Sequence, residues 1–408
     1  MNALTVSVVV VSRHRPDALR LCLTGLLKVN ADPFEVIVVG DPTAIAVAQD
    51  VHGDIKAVLF DEPNISRARN LGIDRAGGAV VAFVDDDAVP EPQWLAHLTA
   101  QFRNHDVAAA GGFVIGRNGI SFQWKARLAF ADGTATPFQV EDPTIFQGEA
   151  GRAIKTEGTN MAFRRDVLVG IGGFDPRFHY YLDETDVNMR LAAAGAKTAI
   201  VPLAQVHHGF AASRQRTQSR APRSLYDVAA SSAIFSRKHD PANIEQNGAE
   251  LRRRQRLRLL RFMVAGALVP GDVARLMKTF DAGWADGLLR QDEGVTFGEM
   301  PPLFAPVIRQ QTIYGHVVVS GRSWQKGRVL AKARKRAAEK NVSVYIFSPT
   351  ALFHRVSFDK GGFWVQRGGL FGRSVRSQKL FRFWTFERRV EVEATRVNLV
   401  RENPKGVM

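Results

Sequence analysis

Residues 80–90 read VVAFVDDDAVP. Val80, Val81, Ala82, Phe83 and Val84 form an unbroken apolar run, the pattern of a short strand buried on both faces. The run passes straight into Asp85, Asp86 and Asp87. In a parallel α/β sheet, ligands sit at the carboxyl ends of central strands. Three adjacent carboxylates repel one another unless a positive group lies between them, and a hard divalent cation answers that need while sharing its shell with phosphate oxygens. The plainer alternative is an acidic strand-to-loop turn, since aspartate is common in turns.

Working outward, the preceding chain alternates strand and helix. Thr5–Val11 reads as a strand, followed by the turn Ser12-Arg13-His14-Arg15-Pro16 and a helix to about Lys28 with Asp17 as its cap. Phe34–Val39 is a second strand ending at Gly40-Asp41, and Ala57–Phe60 a weaker third. NISRARNLG, residues 64–72, opens another helix. This β-α-β-α-β order argues an α/β fold with a mostly parallel, Rossmann-like sheet. Beyond the acids, Val107–Ile115, Asn160–Phe163 and Thr198–Val201 read as strands. The Gly-, Pro- and acid-containing stretch 130–157 reads as a mobile loop. Asp183-Glu184-Thr185-Asp186 begins a helix ending at Gly195, and Val206-His207-His208-Gly209 follows.

Charge divides the chain. Residues 1–210 hold 19 Lys+Arg against 24 Asp+Glu, whereas residues 211–408 hold 36 against 16. An acidic half is thus joined to a basic half of the kind that meets anionic lipid, nucleic acid or phosphorylated substrates. A lone cysteine, Cys22, excludes an internal disulfide and a cysteine metal cluster and suits a reducing, cytoplasmic setting. The apolar N-terminal run Val6–Val11 lacks a basic leader, so no signal peptide is expected. The longest apolar run elsewhere, Phe262–Pro270, is too short to span a bilayer.

Four features in one order (the opening strand and turn; NISRARNLG; FVDDDAVP; then GTNMAF, GGFDPRF, DETDVNMRL and VHHG) resemble the family 2 glycosyltransferases, inverting enzymes of the GT-A fold. The resemblance spans about residues 5–215. It implies a nucleoside-diphosphate-sugar donor, a Mn²⁺ or Mg²⁺ ion, and a glycan or lipid-linked acceptor, with surface polysaccharide synthesis as the expected setting. Asp85 and Asp87 match the family's two metal-site acids, with Asp87 the direct ligand, Asp85 also facing the ribose, and Asp86 a further donor-side acid. His207-His208 stands where the family offers an imidazole to the metal. Glu184 matches the acid that takes the acceptor's proton, with Asp183 its rival and Asp186 the third acid of the cluster. Arg69-Asn70 matches a diphosphate-facing Arg-Asn step, joined by Arg67. Ser12, Arg13, Arg15 and Asp41 would line the nucleoside end.

Each role has a structural competitor. Acids in a first helical turn suit the macrodipole and free amides, a histidine near a strand end is usually just hydrogen-bonded, and an arginine at a helix start is often solvated. Two rival functions stand beside the transferase reading. A nucleotidyltransferase would want a Gly-rich turn after the first strand, which is missing here. A non-catalytic polysaccharide-assembly protein need not keep the acids. Downstream, residues 216–290 form a basic helical segment whose six arginines between Arg252 and Arg261 could meet an anionic membrane from a peripheral position. Residues 291–408 read as a small α/β domain with strands at His316–Ser320 and Ser343–Phe347. No nucleic-acid-binding pattern occurs.

Overall fold

A computed structural model describes residues 4–31, 33–209, 221–308 and 315–402. Strands β1 (Val6–Ser12), β2 (Phe34–Gly40), β3 (Lys56–Leu59) and β4 (Val80–Val84) alternate with helices α1 (Pro16–Leu26), α2 (Pro42–Val51) and α3 (Ile65–Asp74). The chain continues through β5 (Ala88–Pro90), α4 (Trp94–Ala100), β6 (Val107–Ile115), β7 (Phe122–Trp124), β8 (Arg127–Phe130), β9 (Ala135–Pro137), β10 (Thr144–Gln147) and β11 (Arg152–Lys155). Then come β12 (Asn160–Arg164), α5 (Arg165–Gly170), α6 (Asp183–Ala193) and β13 (Lys197–His208).

The main sheet runs β10-β13-β6-β12-β4-β1-β2-β3. From β13 to β3 every strand shares one direction except β12, which is antiparallel to both β4 and β6. The fold is therefore α/β with a mostly parallel sheet. Its pleat sorts the apolar residues between two layers. Val8, Val10 and Ala82 face Leu19, Leu23 and Trp94, while Val9, Val81 and Phe83 face Ile73, Phe174 and Leu191. The triple acid starts where β4 leaves this double-sided core.

Three expectations change. Helix α1 starts at Pro16, so Asp17 lies inside the first turn and caps nothing; proline supplies the pre-set φ instead. Residues 130–157 are largely paired: β11, β8 and β9 form a small antiparallel sheet and β10 extends the main one. Strand Thr198–Val201 is only part of β13, which continues to His208 through an irregularity between Val201 and Gln205.

Helices α7 (Tyr226–His239), α8 (Ile244–Val264) and α9 (Pro270–Leu289) pack as a unit. Leu259, Leu276 and Phe280 make its core, joined by Leu251, Leu260 and Met263. Leu251, Leu259 and Leu260 of α8 are thus spent on protein packing, while Leu257 is exposed. Several of its arginines meet acids: Arg252 pairs with Asp281, and Arg253 and Arg254 with Glu250. No described helix is long and apolar enough to cross a membrane.

The last segment holds β14 (His316–Arg322), α10 (Lys326–Ala337), β15 (Asn341–Ser348), β16 (Arg355–Asp359), β17 (Phe363–Gly369) and α11 (Phe386–Arg401). Its sheet order is β14-β15-β17-β16, the first three parallel. It is docked on the first sheet through a buried ion pair. Arg401 grips Glu91 with two hydrogen bonds of 2.8 and 2.7 Å. Burial raises the Glu91 carboxyl, but the guanidinium outweighs that and holds it at about 2. Residues ahead of this sheet also lie along the first one: the Val307 amide donates to the Phe34 carbonyl and Phe297 packs beside the core.

Candidate active site

Asp85, Asp87 and His208 converge at the carboxyl end of β4, their ligand atoms all within 4.8 Å of one another. The register of β13 against β5 is the cause. It sets His208 opposite Ala88, one residue past Asp87. His208 Nε2 lies 3.2 Å from Asp87 Oδ1 and 3.8 Å from Asp85 Oδ2. Its ring stacks on Trp124, and Nδ1 is 3.4 Å from Gln123 Oε1, so Nε2 is the nitrogen turned to the acids. Burial works against a charged imidazole, but Asp87 and Asp85 outweigh it and raise its pKa. Burial likewise pushes Asp87 up, and His208 and Arg15 more than reverse it. Two carboxylates and one imidazole are a donor set that fits Mn²⁺, and Mg²⁺ less closely.

His207, expected as a second imidazole ligand, points the other way. Neighbours on a strand face opposite sides, so its Nε2 meets Glu91 at 2.8 Å and its ring lies against Trp364. It belongs to the docking of the last segment and is removed from the ligand set.

Asp86 turns towards the α1 side, taking a hydrogen bond from Ser12 Oγ at 2.8 Å and an ion pair from Arg15 at 2.5 Å. Arg15 spans to Asp87 with its other nitrogen, 2.7 Å away. Burial, reinforced by Asp87, raises Asp86 to about 7 against the pull of Arg15. Asp41 caps α2 through the Ala44 amide and meets His14, while Arg13 reaches out to Asp61. His14, Asp41 and Asp61 are close enough to share one ligand. Nothing in the local pattern around Asp61 had marked it.

The NISRARNLG helix mainly clamps the loop that delivers α6. Asn64 Nδ2 donates to the Pro176 carbonyl and Ser66 Oγ to that of Phe178. Asn70 both donates to the Phe174 carbonyl and accepts from its amide. Asn70 therefore holds the turn at Phe174. Arg67 turns outward to Glu62 and Glu293, away from the acids. Arg69, two residues further along the helix, turns inward and is almost entirely buried. It pairs with Asp183, donates to the Gly158 carbonyl at 3.1 Å and lies 3.6 Å from Asp85. A Cβ at position 158 would sit 2.9 Å from its guanidinium, so glycine there admits the arginine. One buried cation thus joins the two acid clusters.

Entry to α6 is strained: Tyr181 and Leu182 both adopt positive φ, 74° and 66°, an uncommon conformation for bulky residues. The turn aims Asp183 and Glu184 back at the sheet. Glu184 meets Lys155, which also donates to Thr185 Oγ1 at 2.8 Å. Burial raises both acids of this pair. For Asp183 burial wins, aided by Glu184, and the carboxyl rises to about 7 despite Arg69. For Glu184 the Lys155 ammonium wins, and the carboxyl falls to about 2. The Glu184 side chain is the more accessible, 15% against 5%. Asp186 lies on the far side of the helix among Arg190, Lys238 and His239, which depress it and tie α6 to α7. It is a packing acid and leaves the site. Lys155 had drawn no attention in the sequence, where a single lysine before GTNMAF carries no pattern.

Residues 7–172 match the family described as Glycosyl transferase family 2. Over that stretch the chain is similar to the family 2 glycosyltransferases. It is 31% identical over 180 residues to a glucosyl-dolichyl phosphate glucuronosyltransferase of Haloferax volcanii, covering 42% of this chain and 56% of that protein. It is 27% identical over 231 residues to the O-antigen biosynthesis protein RfbC of Myxococcus xanthus, covering 52% of this chain and 18% of that one. The chain spans about half the length of the first of these relatives and much less of the second. Among solved structures it is similar to GalNAc-T7 with UDP, GalNAc and Mn²⁺, at 16% identity and a TM-score of 0.46, over 58% of this chain and 48% of that one.

Proposed function

We propose that this chain is an inverting, cation-dependent glycosyltransferase with a GT-A frame in residues 1–215, moving a sugar from a nucleoside diphosphate to a glycan or lipid-linked acceptor in surface polysaccharide synthesis, on the cytoplasmic face of an anionic membrane. The observation that carries it is Arg69, which touches Asp85 of one acid cluster and Asp183 of the other. That contact supports a reading in which both halves of a displacement share one site. Asp85, Asp87 and His208 would hold Mn²⁺ or Mg²⁺, which as a Lewis acid would stabilise the diphosphate as it leaves. Arg15 and Asp86 flank that position on the donor side. Glu184, ionised at neutral pH, accepts the acceptor hydroxyl's proton while that oxygen bonds to the anomeric carbon. The anomeric carbon's bond to the diphosphate oxygen breaks with its electron pair, and a single in-line displacement inverts the centre. Each acid has a cation, Arg69 for Asp183 and Lys155 for Glu184, and Asp183 is the less accessible of the two.

A thermal-shift panel of UDP, GDP, CDP and TDP tests the donor half. A ligand at 100 times its Kd stabilises the native state by about 2.7 kcal/mol. One nucleotide should therefore raise Tm by several degrees with Mn²⁺ and far less with EDTA. Four null shifts, or shifts indifferent to Mn²⁺, would remove the proposal.

Lys155→Met tests the base. Lys155 favours ionised Glu184, so its loss raises the Glu184 pKa. A base must be unprotonated to act, so the acid limb of kcat/KM should move to higher pH. An unmoved limb would reject Glu184 in this role.

A further inference from the structure

Strands β14, β15 and β17 are parallel, so the segments leaving Arg322, Ser348 and Gly369 emerge at one edge of the second sheet. That edge carries a group of bare aromatic and aliphatic side chains. Leu352 and Phe353 are 65% and 62% exposed, and Leu380, Phe381 and Phe383 are 62%, 48% and 80% exposed. The rings are assembled: Phe371 lies 5.7 Å from both Phe381 and Phe383, which contact each other edge-on at 4.9 Å. From Lys360 through Phe386 the sequence has six Lys or Arg and no Asp or Glu. Arg376, Lys379 and Arg382 are exposed beside the rings. Arg382 lies 4.2 Å from the Trp384 ring centre, and Arg373 lies 4.8 Å from that of Phe353.

The loop is held ready. Gly372 and Phe381 form an antiparallel bridge, and the Arg382 amide donates to the Phe371 carbonyl at 3.0 Å. Beneath it Ser374 donates to the buried carboxylate of Glu393 at 2.6 Å, and Arg389 to the Gly372 carbonyl at 2.9 Å. The loop therefore presents its side chains from a fixed base, and order need not be gained on binding.

We propose that this Phe371–Trp384 face is the membrane-docking surface of the chain, inserting Leu380, Phe381 and Phe383 among acyl chains of an anionic bilayer while Arg376, Lys379 and Arg382 meet lipid phosphates. Apolar tips ringed by cations are the pattern of interfacial lipid binding. The occupant is read from charge and chemistry. Acids are absent from the loop, which disfavours a basic protein partner, and the exposed tips are phenylalanine and leucine, which offer a sugar no hydrogen bond. The arginines of α8 are the poorer candidate, because that helix turns Leu251, Leu259 and Leu260 to α7 and α9 and exposes only Leu257 and Val264 as large apolar side chains. The inference does not depend on the transfer reaction.

The test is co-sedimentation of the full chain with vesicles of phosphatidylcholine alone or with a third phosphatidylglycerol. Binding should need the anionic lipid and weaken as salt rises. R376Q/K379Q/R382Q should weaken it by about a hundredfold, near fivefold per cation. F381S/F383S should weaken it by about tenfold or more through lost apolar burial. Both variants alter exposed side chains, and an unchanged Tm confirms their folding. R253Q/R256Q/R261Q on α8 should bind as the wild type. Equal binding to both vesicle types, undiminished binding by either loop variant, or loss of binding confined to the α8 variant would overturn the proposal. So would tighter binding of a mixed-sequence oligonucleotide than of vesicles. A lipid-free dimer that F381S/F383S dissolves would instead assign the face to a second copy of the chain, and overturn it too.

Discussion

Glu184→Gln is expected to lower kcat by roughly a thousandfold, inside the 10²–10⁴ range that general-base catalysis supplies. The amide cannot accept the acceptor's proton, yet it keeps the carboxylate's length. Lys155 is left facing a neutral group, so some stability is lost, but Thr185 Oγ1 and Glu157 remain within its reach. Donor binding, read by the thermal shift with Mn²⁺, should be unaltered, because Glu184 pairs with Lys155 and its neighbour Asp183 lies across Arg69 from Asp85. That pairing of a dead reaction with intact nucleotide binding separates loss of a base from loss of the fold. Asp183→Asn is the control: it removes a partner of Arg69 and should cost less in kcat than Glu184→Gln. Transfer by the Glu184→Gln variant at the wild-type rate would end the assignment, and a larger loss in the Asp183 variant would hand the role to Asp183.

Asp87→Ala is expected to cost about 10²–10³ in kcat/KM, the scale of removing one group that stabilises developing charge. Its signature differs from that of the Glu184 variant. The Mn²⁺-dependent part of the nucleotide shift should disappear, because only Asp85 and His208 remain of the converging set. Arg15 keeps its ion pair with Asp86, so the local fold has a reason to persist. The Asp86 carboxyl also loses a repelling neighbour and its raised pKa should fall. Full transfer by this variant, or nucleotide binding with undiminished Mn²⁺ dependence, would rule out Asp87 as a ligand.

Much of the frame was legible because it is written locally. Val80–Val84 and Val107–Ile115 are unbroken apolar runs, and a strand buried on both faces leaves that mark in any α/β protein. The acids of Asp85–Asp87 and Asp183–Glu184 stood out for a related reason, since like charges side by side demand an external explanation. Long-range register is where local reading ended. Whether His207 or His208 turned to the acids depended on β13 being one strand paired with β5, and on which side of its pleat each histidine fell. Around α3, Arg67, Arg69 and Asn70 looked alike as polar residues. A helix turns about 100° per residue, so one faces solvent, one the acids and one a backbone turn. Lys155 ends β11, 29 residues before Glu184 on α6, and nothing nearby announces the pair.

What the sequence determined, then, is the parallel frame and the two places where carboxylates gather, because periodicity and charge density are properties of neighbours in the chain. What folding in three dimensions decided is that both gatherings meet across one buried arginine, and which partner each acid takes. The physical reason is that pKa and orientation come from groups remote in sequence, and their approach is set by sheet register and helix docking.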